Sequence, residues 1–268
     1  MAEEPGWAGP GFERTARGLV RRDARAQLAS LGLDHATGAD AYADGAVLRR
    51  IPQKSVVTLS LDGRMCFLKR YHYEPISVFL RASLKLNYPT FSGPAEWRAL
   101  DALQGLGLRV PRVLAAGDGG GWRRRLSFIL LERLEGRPLA PMPPELRGNA
   151  TAQRALARSL AELVLKLHDS GLCHRDLYLA NIFHDPQLGL GVLDCERVRR
   201  FRGPTPMRWR VKDLAALLYS CPDDIEPGIR SSFLDAYLGS QSGLELRRSW
   251  RLRVERKART LARHGRKT

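Results

Sequence analysis

At 268 residues with 44% apolar content and charges throughout, the chain is long enough for one large domain or two small lobes around a cleft, and its composition excludes a disordered or fibrous protein. A membrane-spanning helix needs about 18 nearly charge-free apolar residues in a row, and the longest apolar runs, such as that around Phe128 to Leu131, are strand-length. The net charge of +16 favours phosphate-bearing partners such as nucleic acid, anionic lipid or phosphorylated sugar; yet Arg outnumbers Lys 37 to 7 beside abundant Ala and Gly, as GC-rich codons would produce, so charge alone selects no partner.

Residues 1–45 read as an N-terminal extension: an acidic Gly/Pro-rich start, a helix-like stretch around Val20 to Leu31, and an Ala- and Asp-rich connector. The start has no apolar run behind a basic segment, so a secretory leader is not expected. From Ala46 short strands follow: Val47–Arg50, a Pro52-Gln53-Lys54-Ser55 turn, Val56–Leu61, an Asp62-Gly63 hairpin signal and Arg64–Tyr71. A basic and apolar stretch spans Ile76 to Leu86. A helix over Pro94 to Leu106 starts near Ser92 or Gly93, and strands near Val113–Ala116 and Leu126–Leu131 flank Gly119-Gly120-Gly121. Residues 46–135 thus predict a lobe dominated by antiparallel sheet with one main helix.

After the proline-rich link Pro138 to Pro144 the pattern turns helical. Leu156, Leu160, Leu163, Val164 and Leu167 recur at three-to-four-residue steps, predicting a helix over Ala150–Ser170. Short strands at Ile182–His184 and Leu190–Leu193, then helices near Val211–Tyr219 and Ile229–Leu238, complete a second lobe over residues 136–245. A basic helix over 246–268 closes the chain. The fold class expected is α+β in two lobes. Cys66, Cys173, Cys195 and Cys221 are far apart and form no metal or redox pair, which fits a reducing setting without a structural disulfide.

The strongest local signal is His174-Arg175-Asp176-Leu177-Tyr178-Leu179-Ala180-Asn181, with Val192-Leu193-Asp194 following thirteen residues past the asparagine. Phosphoryl transfer explains why such groups belong together. Charge builds on the transferred group's oxygens, so the protein must hold metal and orient the attacking hydroxyl. Asp176 suits the hydroxyl proton; Asn181 and Asp194 offer hard oxygen ligands for Mg²⁺.

This arrangement resembles the catalytic loop of the protein kinase superfamily. Together with Asp194-Cys195-Glu196 and Arg208-Trp209-Arg210-Val211-Lys212-Asp213, it resembles the bacterial lipopolysaccharide kinase family, the heptose and Kdo kinases, over roughly residues 45–225. The resemblance implies a bilobal protein kinase-like fold, ATP and Mg²⁺ as cofactors, and a sugar hydroxyl of a lipopolysaccharide core or related glycolipid as acceptor. It implies that Lys69 contacts the nucleotide phosphates with Glu96 as its ion-pair partner, and that main-chain groups of Glu132 and Leu134 line the adenine site. His174 and Asp213 would support the catalytic loop.

Departures from the superfamily pattern narrow the reading. No G-x-G-x-x-G separates the first two strands, so Lys54 and Ser55 are the candidates for further phosphate contacts. Asp194 is followed by Cys195-Glu196 instead of Phe-Gly, there is no Ala-Pro-Glu, and eighteen residues separate Asp194 from Asp213, little room for a peptide-docking platform. These absences argue against a standard protein kinase.

The segment between the two aspartates carries Arg197, Arg199, Arg200, Arg202, Arg208, Arg210 and Lys212, opposed by Glu196 alone. Arg175, Arg199, Arg200, Arg208 and Arg210 are therefore candidates to bind an anionic acceptor, with a solvated arginine-rich loop as the plain alternative. In the last helix Leu246, Trp250, Val254, Ala258 and Leu261 form a stripe flanked by basic residues. It can lie on an anionic membrane, which fits a cytoplasmic enzyme peripheral to the inner face, or pack its stripe on the second lobe. No DNA partner is expected, and RNA signatures are missing. Two other readings stay open: an atypical protein or small-molecule kinase, and a nucleotide-binding pseudokinase scaffold, against which stand the retained Lys69, Glu96, Asp176, Asn181 and Asp194.

Overall fold

The computed structural model describes residues 11–15, 18–72, 92–119, 126–222, 225–239 and 243–265. The expected stretch Ile76 to Leu86 and the Gly120-Gly121 part of the glycine turn lie outside them. The chain divides into two compact units, one comprising residues to Asp101 with Pro111–Arg133, the other Ala102–Val110 with Leu134 onward.

The first unit is built on strands β1 (Phe12–Thr15), β2 (Gly18–Arg21), β3 (Ala46–Ile51), β4 (Lys54–Leu61) and β5 (Arg64–Tyr71), then β6 (Val113–Asp118) and β7 (Ser127–Glu132). Among the described residues these seven make one antiparallel sheet in the order β1-β2-β6-β7-β5-β4-β3. Period-two alternation sorts its faces. Val57, Leu59, Leu61, Cys66, Leu68, Phe128 and Leu130 share one apolar core with Leu28 of helix α1 (Arg25–Ser30) and with Ala36 and Ala39 of helix α2 (Ala36–Ala41). Asp62 and Gly63, both at positive φ (48° and 76°), turn β4 into β5 as the hairpin signal predicts.

The described residues up to position 45 are therefore no appendage to the sheet. They supply its first two strands and the two helices that cover its apolar face. The helix expected from Val20 begins only at Arg25, because Leu19 and Val20 enter the sheet beside Ala116 and Ala115 and are fully buried there. Two fully buried apolar side chains, Leu19 and Val20, outweigh a marginal helical pattern once a neighbouring strand is available.

Helix α3 (Gly93–Gly105) starts where the sequence predicts and buries Trp97, Leu100 and Leu103. Ser92 accepts from the N–H of Ala95 through its hydroxyl (3.3 Å). Gly93 is required at the first turn: a Cβ there would stand 1.7 Å from the carbonyl oxygen of Phe128.

The second unit contains β8 (Arg137–Pro138), helix α4 (Ala150–Asp169), β9 (Leu172–Cys173), β10 (Ile182–Asp185), β11 (Gly189–Val192), β12 (Arg199–Arg200) and helices α5 (Met207–Tyr219), α6 (Ile229–Leu238) and α7 (Leu244–Gly265). Asn149 caps α4 by accepting from Ala152 N–H (3.0 Å); of the predicted stripe Leu160, Leu163, Val164 and Leu167 are buried and Leu156 is half-buried. Helix α6 packs on α4, and α7 on α5. Trp250, Val254 and Ala258, the middle of the predicted α7 stripe, are buried, Leu261 is half-buried, and Leu246 stays exposed with Arg248, Arg251, Arg253, Arg256 and Arg259. Among the described residues no helix is long and apolar enough to cross a membrane.

Candidate active site

In the first unit Lys69 stands on the face of β5 opposite the apolar core. Its Nζ lies 2.6 Å from Glu96 Oε1, and the side chain of Glu96 is 1% exposed. A buried carboxylate needs its remaining lone pairs satisfied, and the hydroxyl of Tyr71 donates to Glu96 Oε2 at 2.6 Å. The pair that the sequence suggests is thus a triad. Tyr71 was legible by parity, since residues two apart on a strand share a face.

Lys54 lies on the same face: it pairs with Tyr71 in the β4–β5 register, and its Nζ sits 5.6 Å from the centroid of the Tyr71 ring. Ser55 does not join it. Ser55 pairs with Arg70 and faces the opposite side of the sheet from Lys69, where it lines a cavity with Arg50, Arg70 and His72. The expectation that Ser55 helps hold phosphates beside Lys69 is therefore corrected, for the reason that a one-residue step along a strand reverses the side chain. The N–H of Glu132 bonds the carbonyl of Arg112 (2.8 Å), and its carboxylate takes Arg112 (2.9 Å) and Arg64 (3.3 Å).

In the second unit the loop after β9 is held by one carboxylate. Asp213, wholly buried on α5, accepts from the backbone N–H of His174 (Oδ2, 2.8 Å) and of Arg175 (Oδ1, 2.8 Å). His168 Nε2 lies 3.2 Å from the same Oδ2, and its Nδ1 is 2.8 Å from the Tyr237 hydroxyl. His174 donates through Nε2 to the carbonyl of Leu193 (3.1 Å), which fixes the residue before Asp194.

Asn181 donates through Nδ2 to the carbonyl of Asp176 (2.9 Å), so its Oδ1 is the atom left for a cation. Leu193 N–H bonds the carbonyl of Asn181 (2.9 Å), and Asp194 adopts the left-handed conformation (φ 58°). These donors fit Mg²⁺: an amide oxygen and a carboxylate, both hard, anchored to each other through backbone.

Asp176 is not free in solvent. Arg197 Nη1 reaches both of its carboxylate oxygens, at 2.9 and 3.0 Å. The sequence shows Arg197 only as one cation in a basic run. Of the acceptor candidates, Arg175 is buried, Arg199 and Arg208 stand over the Trp209 ring (5.6 and 5.3 Å), and Arg200 is exposed in β12. Arg210 is not with them: it bonds the Thr205 carbonyl (2.8 Å) and pairs with Asp169 (2.7 Å), bracing the end of α4. Its place is corrected from acceptor binding to structure, because on α5 a step of two residues from Arg208 turns the side chain about 200° around the helix. Sequence reading places Trp209 in the family motif and Lys212 in the basic run without a role for either; the ring of Trp209 gathers Lys212 at 5.6 Å.

The family model described as the lipopolysaccharide kinase (Kdo/WaaP) family matches residues 47–237. The chain is 29% identical over 204 residues to a lipopolysaccharide core heptose(I) kinase of Escherichia coli K12, covering 68% of this chain and 75% of that one. It is 29% identical over 197 residues to the corresponding Pseudomonas aeruginosa heptose(I) kinase, covering 67% and 71%. A shorter match, 33% over 125 residues and 47% and 48% of the two chains, joins it to a 3-deoxy-D-manno-octulosonic acid kinase of Xylella fastidiosa.

Proposed function

Because the chain belongs to the lipopolysaccharide kinase (Kdo/WaaP) family, we propose that it transfers the γ-phosphoryl group of ATP to a sugar hydroxyl of the lipopolysaccharide core or a related glycolipid. The observation that carries this reading is the loop clamped by Asp213, which holds Asp176 and Asn181 on one short turn with the Asn181 oxygen turned away from its own bond.

In this reading Asp176 orients the acceptor hydroxyl and receives its proton as the oxygen attacks phosphorus. Arg197 keeps the carboxylate in one rotamer. Asn181 and Asp194 would hold Mg²⁺, which supplies neutralisation of the phosphate charge when bound. Lys69, held in place by Glu96 and Tyr71, takes the nucleotide phosphates, with Lys54 as an additional contact. The carbonyl of Glu132 and the N–H of Leu134 serve the adenine. Exposed arginines along α7 favour an anionic membrane surface, which suits a peripheral cytoplasmic enzyme acting on a lipid-linked acceptor.

The experiment is transfer of label from γ-labelled ATP, with Mg²⁺, into purified lipopolysaccharide, soluble sugar, RNA and protein offered separately. Label entering lipopolysaccharide alone, and lost in Asp176→Ala, is the expected result. Label in a different fraction would discard the acceptor, and absence of any transfer would discard the kinase reading.

A further inference from the structure

Arg175 is the most unusual side chain in the second unit. It is 5% exposed, has positive φ (73°), and its buried Nε has no hydrogen-bond partner. No carboxylate pairs with it among the described residues; its guanidinium instead stacks over the Trp209 ring at 5.2 Å. The same ring collects Arg199 (5.6 Å), Arg208 (5.3 Å) and Lys212 (5.6 Å).

Two further donors point the same way. The indole Nε1 of Trp209 and the Nε of Arg197 are buried without partners. All three orphaned atoms can only donate, so what the cluster lacks is an acceptor. What Arg175, Arg199 and Lys212 lack, among the described residues, is an ion-paired carboxylate. Burial, followed by the Arg197 guanidinium, pushes the Arg175 proton affinity down and outweighs the opposing pull of Asp176; burial, followed by Arg197, does the same for Lys212 against Asp176 and Asp213. The carboxylates felt by this cluster are Asp176, bound by Arg197, and Asp213, occupied by the loop N–H groups. Burying a guanidinium without a counter-charge is strongly unfavourable, and a water molecule would satisfy an N–H without neutralising the charge.

We propose that Arg175, Arg199 and Lys212, gathered on Trp209 beside Asp176, form a subsite for an oxyanion, a phosphate or carboxylate carried by the acceptor near the hydroxyl that is phosphorylated. The assignment to the acceptor rests on the kinase reading above; the anion subsite itself does not. Arg175 directly precedes Asp176, and Arg197 joins the cluster to the Asp176 carboxylate, so an anion seated here fixes the acceptor relative to the group that takes its proton. A planar guanidinium pair with an indole N–H matches a tetrahedral or trigonal oxyanion in a way a lone lysine does not.

The test uses the full chain and inorganic phosphate as probe, titrated against chloride at constant ionic strength and read by thermal melting and tryptophan fluorescence. Wild type is expected to show a saturable rise in Tm that is at least tenfold weaker in Arg175→Met and in Lys212→Gln, and retained in Lys69→Met, which removes the nucleotide-phosphate lysine. Without phosphate Arg175→Met should melt no lower than wild type, because it removes an uncompensated cation; a purely structural arginine would give a large fall. A response equal in all variants, or reproduced by chloride, means an adventitious ion only and overturns the subsite.

Competition assigns the source. Core oligosaccharide carrying its phosphates and carboxylates should displace phosphate, and the same oligosaccharide after dephosphorylation and carboxyl reduction should not. If neither competes while phosphate still binds, the ligand is free phosphate and the acceptor assignment falls. Loss of label transfer with phosphate binding intact would instead remove the kinase reading and leave the subsite standing.

Discussion

The hydroxyl of Tyr71 lies 2.6 Å from the Glu96 oxygen that Lys69 leaves open, so that one buried carboxylate is held by two side chains of the same strand. Tyr71 thereby keeps Glu96 partly satisfied if Lys69 turns toward a phosphate.

Tyr71→Phe removes that donor while keeping the ring. We expect a loss of about 1–3 kcal/mol in stability, the usual effect of leaving a buried charged acceptor unpaired, seen as a lower urea midpoint with an unchanged slope. The KM for ATP should rise, with little change in acceptor KM. An unaltered midpoint would mean that solvent reaches Glu96.

Asp213→Asn should damage the catalytic loop more than the fold. An amide presents one oxygen where the carboxylate accepts from His174 and Arg175 together, and it places an NH₂ against a backbone N–H. A stability loss of about 2 kcal/mol is expected, with kcat lowered by a hundredfold or more as Asp176 loses its fixed position. Equal activity in the variant would show that the loop is held by other contacts.

Gly93→Ala tests the contact between α3 and β7. The added methyl would collide with the Phe128 carbonyl, which is backbone and cannot turn aside. Displacement of the helix should destabilise the protein by about 1–3 kcal/mol and move Glu96 away from Lys69, weakening ATP binding. Gly105→Ala, with nothing within 4 Å of the added carbon, is the matched control and should be neutral or slightly stabilising.

Alkaline pH should unfold the protein ahead of ordinary tyrosine and lysine titration. Burial raises the thiol of Cys173 from 9.0 to about 12 and that of Cys66 to about 11, and burial raises the Tyr237 hydroxyl to about 12. Above pH 9 the unfolded chain loses these thiol protons while the folded chain keeps them. The stabilisation is therefore complete below pH 9 and is lost as pH climbs toward 11 to 12, at about 1.4 kcal/mol per pH unit for each group in its window. Melting between pH 8 and 11 checks the sign, and Cys173→Ser should flatten the fall. Iodoacetamide at pH 8.5 should label Cys221 in the folded protein and spare Cys66, Cys173 and Cys195, which are buried.

The sequence disclosed those parts whose chemistry is local. His174 through Asn181 announces itself by residue type and spacing, and strands such as β4 and β5 declare themselves by alternation around Asp62-Gly63. What escaped it depended on partners distant in the chain. The strands at residues 12–21 are four residues each and become strands only because Ala115 and Gly117 offer an open edge. Ser55 was misplaced because a turn in sequence, Pro52 to Ser55, is in fact half strand, which sets its side chain on the far face. Arg197 and Arg210 looked alike within one basic run, yet one meets Asp176 and the other Asp169. Charge density marks a region; it does not say which carboxylate each cation finds.

Helix α5 carries Trp209, Lys212 and Asp213 within little more than one turn. Side chains at the anion cluster and the brace under the catalytic loop are thus graduations on a single ruler. An inserted residue between Trp209 and Asp213 would rotate one set against the other by about 100°. Individual substitutions along the ruler can be absorbed one at a time, but its length cannot change. Under the proposed anion subsite, the identities at Arg199 and Lys212 can change one at a time, while insertions and deletions must fall outside Trp209 to Asp213.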